Sequence, residues 1–269
     1  MVIVNKCLYI IFLLTLLTAC EEVVQLDLAQ APPRDVIDAS IKEGSPCFVL
    51  LTQTKGFYDK ESYNRLSGAK VELTDDKDNA DILIESQQEA GFYVSSIVGR
   101  VGRTYKLKVT IGDNIYTSEA KIPNIVPIDS VYIYKVTVAN EAIYSPCVVF
   151  YDPVDVENYY YTTLYVNEKA MKSLYLDSDK YRNGLKVENI LLFDKEDNND
   201  EALKAGDKLR IEMQTLDKGM YTFYRSLSSV AAGGGTNPLT NIVGGALGCF
   251  KAYNSVFVNY TVTEDDMNK

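Results

Sequence analysis

The chain has 269 residues, 46% of them hydrophobic, and its 37 acidic and 27 basic residues give a net charge of −10. That apolar share is typical of a globular body, and the length allows one large or two ordinary domains. An acidic surface repels nucleic acid, so no nucleic-acid partner is expected, and the absence of histidine removes imidazole triads, histidine-ligated zinc and histidine bases.

The apolar run Leu8–Ala19, with Lys6 ahead of it, is too short for the roughly 20 residues of a membrane span but fits a signal-peptide core. It closes on Leu17-Thr18-Ala19-Cys20, which resembles the bacterial lipobox, whose cysteine thiol is acylated and becomes the new N-terminus. Residues 1–19 are therefore expected to be a lipoprotein signal peptide, Cys20 the lipidation site and 20–33 a lipidated tether. An ordinary secretory peptide and an uncleaved anchor are the alternatives. Each buried CH₂ of an acyl chain contributes about 0.8 kcal/mol, so two or more chains hold the body on a membrane outside the cytoplasm. Cys47, Cys147 and Cys249 remain in the body, with no metal-ligand spacing. Three cysteines cannot all pair, and small buried hydrophobes with at most one disulfide is the reading adopted.

From Asp35 to about residue 122 the pattern is short β-runs with turn signals between them, "DVIDASIK", "CFVLLTQT", "AKVELTD", "ADILIES", "GFYVSS", "RTYKLKVTI" and "NIYTSEAKI". In "TYKLKVTI", Tyr105, Leu107, Val109 and Ile111 alternate with Lys106, Lys108 and Thr110, a strand with one buried face. The "GDN" that follows predicts a hairpin turn. About seven such runs predict an Ig-like β-sandwich over 34–122. Pro123 and Pro127 then mark a domain boundary.

Residues 123–269 are expected to form a second, β-rich domain with one amphipathic helix. "SVYIYKVTV", "CVVFYD", "YYYTTLYV", "LKVENILLF" and "DKLRIEMQTL" read as strands. Tyr159, Tyr161 and Tyr165 share a strand face; exposed, that row could stack on sugars or aromatics, but a face turned to the core is the plainer reading. Met220, Phe223, Leu227 and Val230 then recur at helical spacing, predicting a helix over about 218–230 with Asp217 as its N-cap. A glycine-rich loop, 233–250, and a final strand around "SVFVNYTV" follow. The acidic runs 74–81 and 194–200 lack the glycine and spacing of a calcium loop and read as solvated turns. No phosphate-cradling or nucleophile-elbow motif is present, so neither enzyme activity nor a cofactor is expected.

The lipobox, "GRVGRTYKLKVTIGDNIYTSEAKIPNIVPIDSV" and "YTFYRSL…GGGTNPLTNIVGGALGCFKAYN" together resemble the Bacteroidota lipoproteins of domain-of-unknown-function family 4249. Cys249 departs from the pattern, where an aromatic residue is expected. The resemblance implies an outer-membrane lipoprotein, and members often encoded beside TonB-dependent receptors imply a role in uptake or receptor assembly. In such bacteria acidic residues after the lipidated cysteine resemble a surface-export signal, which marks Glu21 and Glu22; the alternative is an ordinary solvated tether. The expected function is binding, as accessory to a TonB-dependent transporter. A structural or adhesion lipoprotein is the alternative, and a carboxylate-dependent hydrolase the third reading.

The apolar middle of the 233–250 loop must be packed against something, since burying Ile242, Val243, Leu247 and Phe250 is worth roughly 1.5–3 kcal/mol each. Either it packs on its own domain, or its glycines let a partner lie close. On the second reading Asn241, Gly244, Gly245, Leu247, Gly248 and Phe250 are the candidate contacts.

Overall fold

The computed structural model describes residues 32–268 except 57–58, 60–61, 139–140, 232 and 235–236. The expected signal peptide, the expected lipidation site Cys20 and the expected export-signal residues Glu21 and Glu22 lie outside the described residues. The first half forms β1 (Asp35–Lys42), β2 (Pro46–Gln53), β3 (Lys70–Asp75), β4 (Ala80–Ile82), β5 (Ile84–Glu85), β6 (Phe92–Val98), β7 (Thr104–Ile111) and β8 (Asn114–Lys121). Strand β7 buries Tyr105, Leu107 and Val109 and exposes Lys106 and Lys108, as its alternation dictates. Gly112, at φ +57°, opens the two-residue turn to β8.

These strands make a sandwich. The order β1-β2-β6-β5 faces β4-β3-β7-β8, with Ile37, Val49, Leu73, Tyr93 and Leu107 in the core between them. That is the strand order of an immunoglobulin fold. The Tyr105 hydroxyl, at the start of β7, accepts from the Arg100 N–H at 2.8 Å, the tyrosine corner that fixes the turn between the two sheets in such domains. Cys47, Cys147 and Cys249 are all buried and unpaired.

After the proline-bearing link come β9 (Ser130–Val138), β10 (Glu141–Tyr151), β11 (Tyr159–Val166), β12 (Lys169–Ala170), β13 (Tyr175–Ser178), β14 (Lys186–Ile190) and β15 (Lys208–Leu216). Helix α1 (Lys218–Ala231), β16 (Leu247–Thr261) and the short α2 (Glu264–Met267) complete the chain. Val148, Phe150, Tyr160, Leu164, Val187 and Ile211 build a second core, formed between the sheet β14-β10-β9 and the inner faces of β11 and β15. The protein is thus mainly β, a sandwich followed by a β-rich half with one amphipathic helix.

The expected boundary near residue 122 separates two cores but not two sheets. One nine-stranded sheet runs β12-β11-β15-β16-β1-β2-β6-β5, with β13 paired to β11. Strand β16 pairs in parallel with β1 through Leu247–Tyr253 and antiparallel with β15 through Tyr253–Thr261. The last strand therefore starts at Leu247, eight residues before the expected "SVFVNYTV". Its leading half belongs to the sandwich, because Phe250 and Ala252 lie in the first core. From Pro33 onward the chain is one compact unit.

Candidate binding surfaces

The glycine-rich segment works as a clasp on the sandwich. Val243 exchanges both backbone hydrogen bonds with Thr117, at 2.8 and 3.0 Å, which covers the free edge of β8. A few residues on, β16 covers the edge of β1. Sheet edges left open invite unwanted pairing, and one segment closes two of them. The Asn241 side chain holds the crossing: its Oδ1 accepts from the Phe250 N–H and its Nδ2 donates to the Phe250 carbonyl, both at 2.8 Å. The Asn241 carbonyl accepts from Ser118 Oγ at 2.8 Å.

The glycines serve these close approaches. A Cβ on Gly248 would stand 2.1 Å from the Ile37 carbonyl oxygen, and one on Gly244 2.6 Å from that of Ile115. Gly245 faces open space, and its carbonyl accepts from Arg34 Nη2 at 2.7 Å. Ile242, Ala246 and Phe250 are buried in the sandwich core, and Leu247 is half-buried. Of the candidate contacts, Asn241, Gly244, Gly248 and Phe250 are thus engaged by the chain's own strands. Gly245 remains at the surface, beside exposed Val243.

Helix α1 roofs part of the outer face of the long sheet. Asp217 caps it, accepting from the Met220 N–H at 2.9 Å, and its other oxygen accepts from the Lys121 N–H at the end of β8. Tyr221 lies on Tyr159 and Tyr224 on Tyr161, each with ring centroids 4.7 Å apart. Met220 and Cys249 fill the space between, and burial pushes the Cys249 thiol up to about 12. Lys251 reaches into this aromatic layer. Its ammonium donates to Gln214 Oε1 at 2.6 Å and to the Tyr224 hydroxyl at 3.1 Å, and lies 4.1 Å from the Tyr253 ring centroid. Burial pulls its pKa down to about 8, opposed by its electrostatic interactions with Cys249, Glu212 and Asp38. Sequence reading missed Lys251; the signal was its period-2 place between Cys249 and Tyr253, which puts an ammonium on a face that α1 covers.

Beyond α1 the same sheet face is open. Arg210 on β15 lies over Tyr165 on β11 and Phe257 on β16, 5.8 and 4.7 Å from the ring centroids. Lys42 on β1 lies over Tyr253 and 3.8 Å from Glu212, and Phe48 stacks on Phe92 at 5.9 Å. Phe257 is 57% exposed.

The acidic runs are turns. Burial raises the pKa of Asp75, but hydrogen bonds from Asn79, Lys77 and Arg103 outweigh it and hold the carboxyl at about 2. Asp197 accepts from the backbone of Lys172 and Ser173. Among the described residues no group of three or more Cys, Asp or Glu is placed to hold a metal ion. The buried carboxylates of Asp152 and Asp179 are held by the chain's own donors: Asp152 accepts from the Tyr160 hydroxyl and the Gly184 N–H, and Asp179 from the Asn158 N–H. No described helix is long and apolar enough to cross a membrane.

No curated protein matches the chain. The model of the domain of unknown function (DUF4249) matches residues 21–256, which takes in the sandwich, α1, the clasp and the shared part of β16, and the chain belongs to that family.

Proposed function

We propose that this chain is a lipid-anchored outer-membrane protein of a Bacteroidota bacterium, displayed at the cell surface. It acts there by binding, as an accessory of a TonB-dependent transporter. One observation carries the binding reading: the outer face of the nine-stranded sheet is roofed only in part, and its open stretch carries Tyr165, Arg210, Phe257 and Phe48. A sheet with one face on a core and the other in water is ordinarily polar on the wet side. Exposed rings set among charges are instead the composition of a recognition surface. The engagement of Asp152 and Asp179 with backbone supports binding over carboxylate chemistry. The immunoglobulin strand order favours a surface adhesion module as the second reading.

The test uses the full chain in its own membrane. Wild type should incorporate labelled fatty acid and Cys20→Ser should not; label on that variant would sink the lipoprotein claim. A β-barrel receptor should co-purify from detergent-solubilised membranes. Its absence, with the protein intact at the cell surface, favours adhesion. Glu21→Ala with Glu22→Ala should leave the protein protected from external protease in whole cells.

A further inference from the structure

At the turn between β11 and β12 the open sheet face dips into a groove of about 520 Å³, within the range of small-molecule sites. Tyr165, Glu168, Lys208, Arg210, Asn259 and Thr261 line it. Arg210 lies over the half-buried Tyr165 ring from β15. On the opposite side the cross-strand neighbour of Tyr165 is Ala170, an exposed residue with only a methyl group, so that side of the ring is uncrowded.

Among the described residues Glu168, Lys208 and Arg210 form no ion pair, although groups of both signs border one groove. Glu168 is also held in an unfavourable conformation. It follows Asn167 at φ +49° and itself sits at φ +71°, the second position of a two-residue hairpin turn that ordinarily takes glycine. Asn167 earns its place through its side chain, which donates to Asp207 Oδ1 at 2.9 Å and accepts from the Lys208 N–H at 3.0 Å. Glu168 has no such local use, and a glutamate kept in a left-handed conformation at the lip of a groove points to a role for its carboxylate.

We propose that this groove binds a saccharide. A sugar ring presents a face of C–H groups, which an aromatic ring accepts, and a rim of hydroxyls, which planar carboxylate, guanidinium and carboxamide groups bind in pairs. Tyr165 supplies the first; Glu168, Arg210 and Asn259 supply the second. An anion is the poorer fit because Glu168 opposes it, and a peptide strand has only the two-residue β12 as an edge to extend. The groove also lies far along the sheet from the start of β1. Leu247 of β16 lies beside the start of β1, whereas Asn259 is twelve residues further along, about 40 Å at strand rise.

The inference rests on the binding reading above but is tested apart from it. Detergent-solubilised full-length protein is titrated with linear tri- to hexasaccharides of glucose, mannose, xylose and galactose. Binding is followed by saturation-transfer NMR and calorimetry. At least one series should bind the wild type, and Tyr165→Ala should weaken it roughly tenfold or more. Tyr165→Phe should retain most of the binding. Glu168→Gly removes the carboxylate and relieves the backbone, so it should weaken binding several-fold while Tm holds or rises. A wild type that binds no series overturns the proposal, and so does either Tyr165→Ala or Glu168→Gly binding as tightly as wild type. Receptor co-purification is untouched by any of these results, so the two claims fall separately.

Discussion

Strand β11 carries its tyrosines into two different environments on one face. Tyr159 and Tyr161 lie under α1, stacked on Tyr221 and Tyr224, whereas Tyr165, four residues beyond Tyr161, is half-buried with Arg210 over it and has no ring of α1 stacked on it. Nothing local distinguishes them. The difference is imposed by a helix more than 50 residues later and by Lys251, which donates to both Gln214 and Tyr224 and so ties the helix to the sheet. Covered, a tyrosine contributes stacking and burial to stability. Open, the same side chain contributes little to stability and is free to meet a ligand.

The covered end depends on β16 lying against β1, and the largest effect is expected there. Gly248 adopts φ +95°, and a Cβ at that position would stand 2.1 Å from the Ile37 carbonyl oxygen, a backbone atom that cannot swing aside. Gly248→Val should cost about 4 kcal/mol or more, a fall of roughly 8–16 °C in Tm by circular dichroism. A variant melting within about 2 °C of wild type would mean that β16 does not lie on β1. The tyrosine contrast itself comes next. Tyr161→Ala should cost about 2–3 kcal/mol, since stacking and burial are lost together, while Phe257→Ala on the open stretch should stay within about 0.5 kcal/mol. Equal costs in urea unfolding would erase the distinction between roofed and open face.

Much of this architecture was legible in the sequence. The period-2 runs gave the sandwich strands, because a half-buried strand needs alternation, and the 3-4-3 spacing from Met220 to Val230 gave α1 to within a residue. The start of β16 was hidden. "LGCF" reads as loop because glycine weakens a strand call, yet Gly248 is there to let β1 approach, a long-range contact invisible to local pattern. The joining of the two halves in one sheet was hidden for the same reason, since parallel pairing between Val36 and Leu247 spans most of the chain. Sequence marked the 233–250 segment as one that must be packed, and Ile242 and Phe250 are buried. It could not tell that Asn241 and Phe250 turn toward each other. The groove at Glu168 was missed because its lining comes from β11, β15 and β16, which only pairing register brings together.

Lys251 offers the smallest and most specific way to probe the covered end. Burial depresses its folded pKa to about 8, below the ordinary lysine value of 10.5. Below about pH 8 the ammonium is protonated in both folded and unfolded chains, and the cost of burying the charge is borne in full. Between about 8 and 10.5 the folded protein sheds this proton while the unfolded chain keeps it, so the unfolded state binds more protons and stability rises with pH. Other groups titrate in the same range: burial raises the Cys249 thiol and the Tyr224 and Tyr253 phenols, which works in the opposite direction. Those groups are common to wild type and Lys251→Met, so the difference between the two isolates the lysine. Lys251 is only half-buried, and with screening allowed for, wild type should gain on the order of 1 kcal/mol relative to Lys251→Met from pH 7.5 to pH 10. Chemical denaturation of both proteins across that range measures it. A difference that stays flat, or that moves against wild type as pH rises, would show that the ammonium reaches water and does not hold α1 on the sheet.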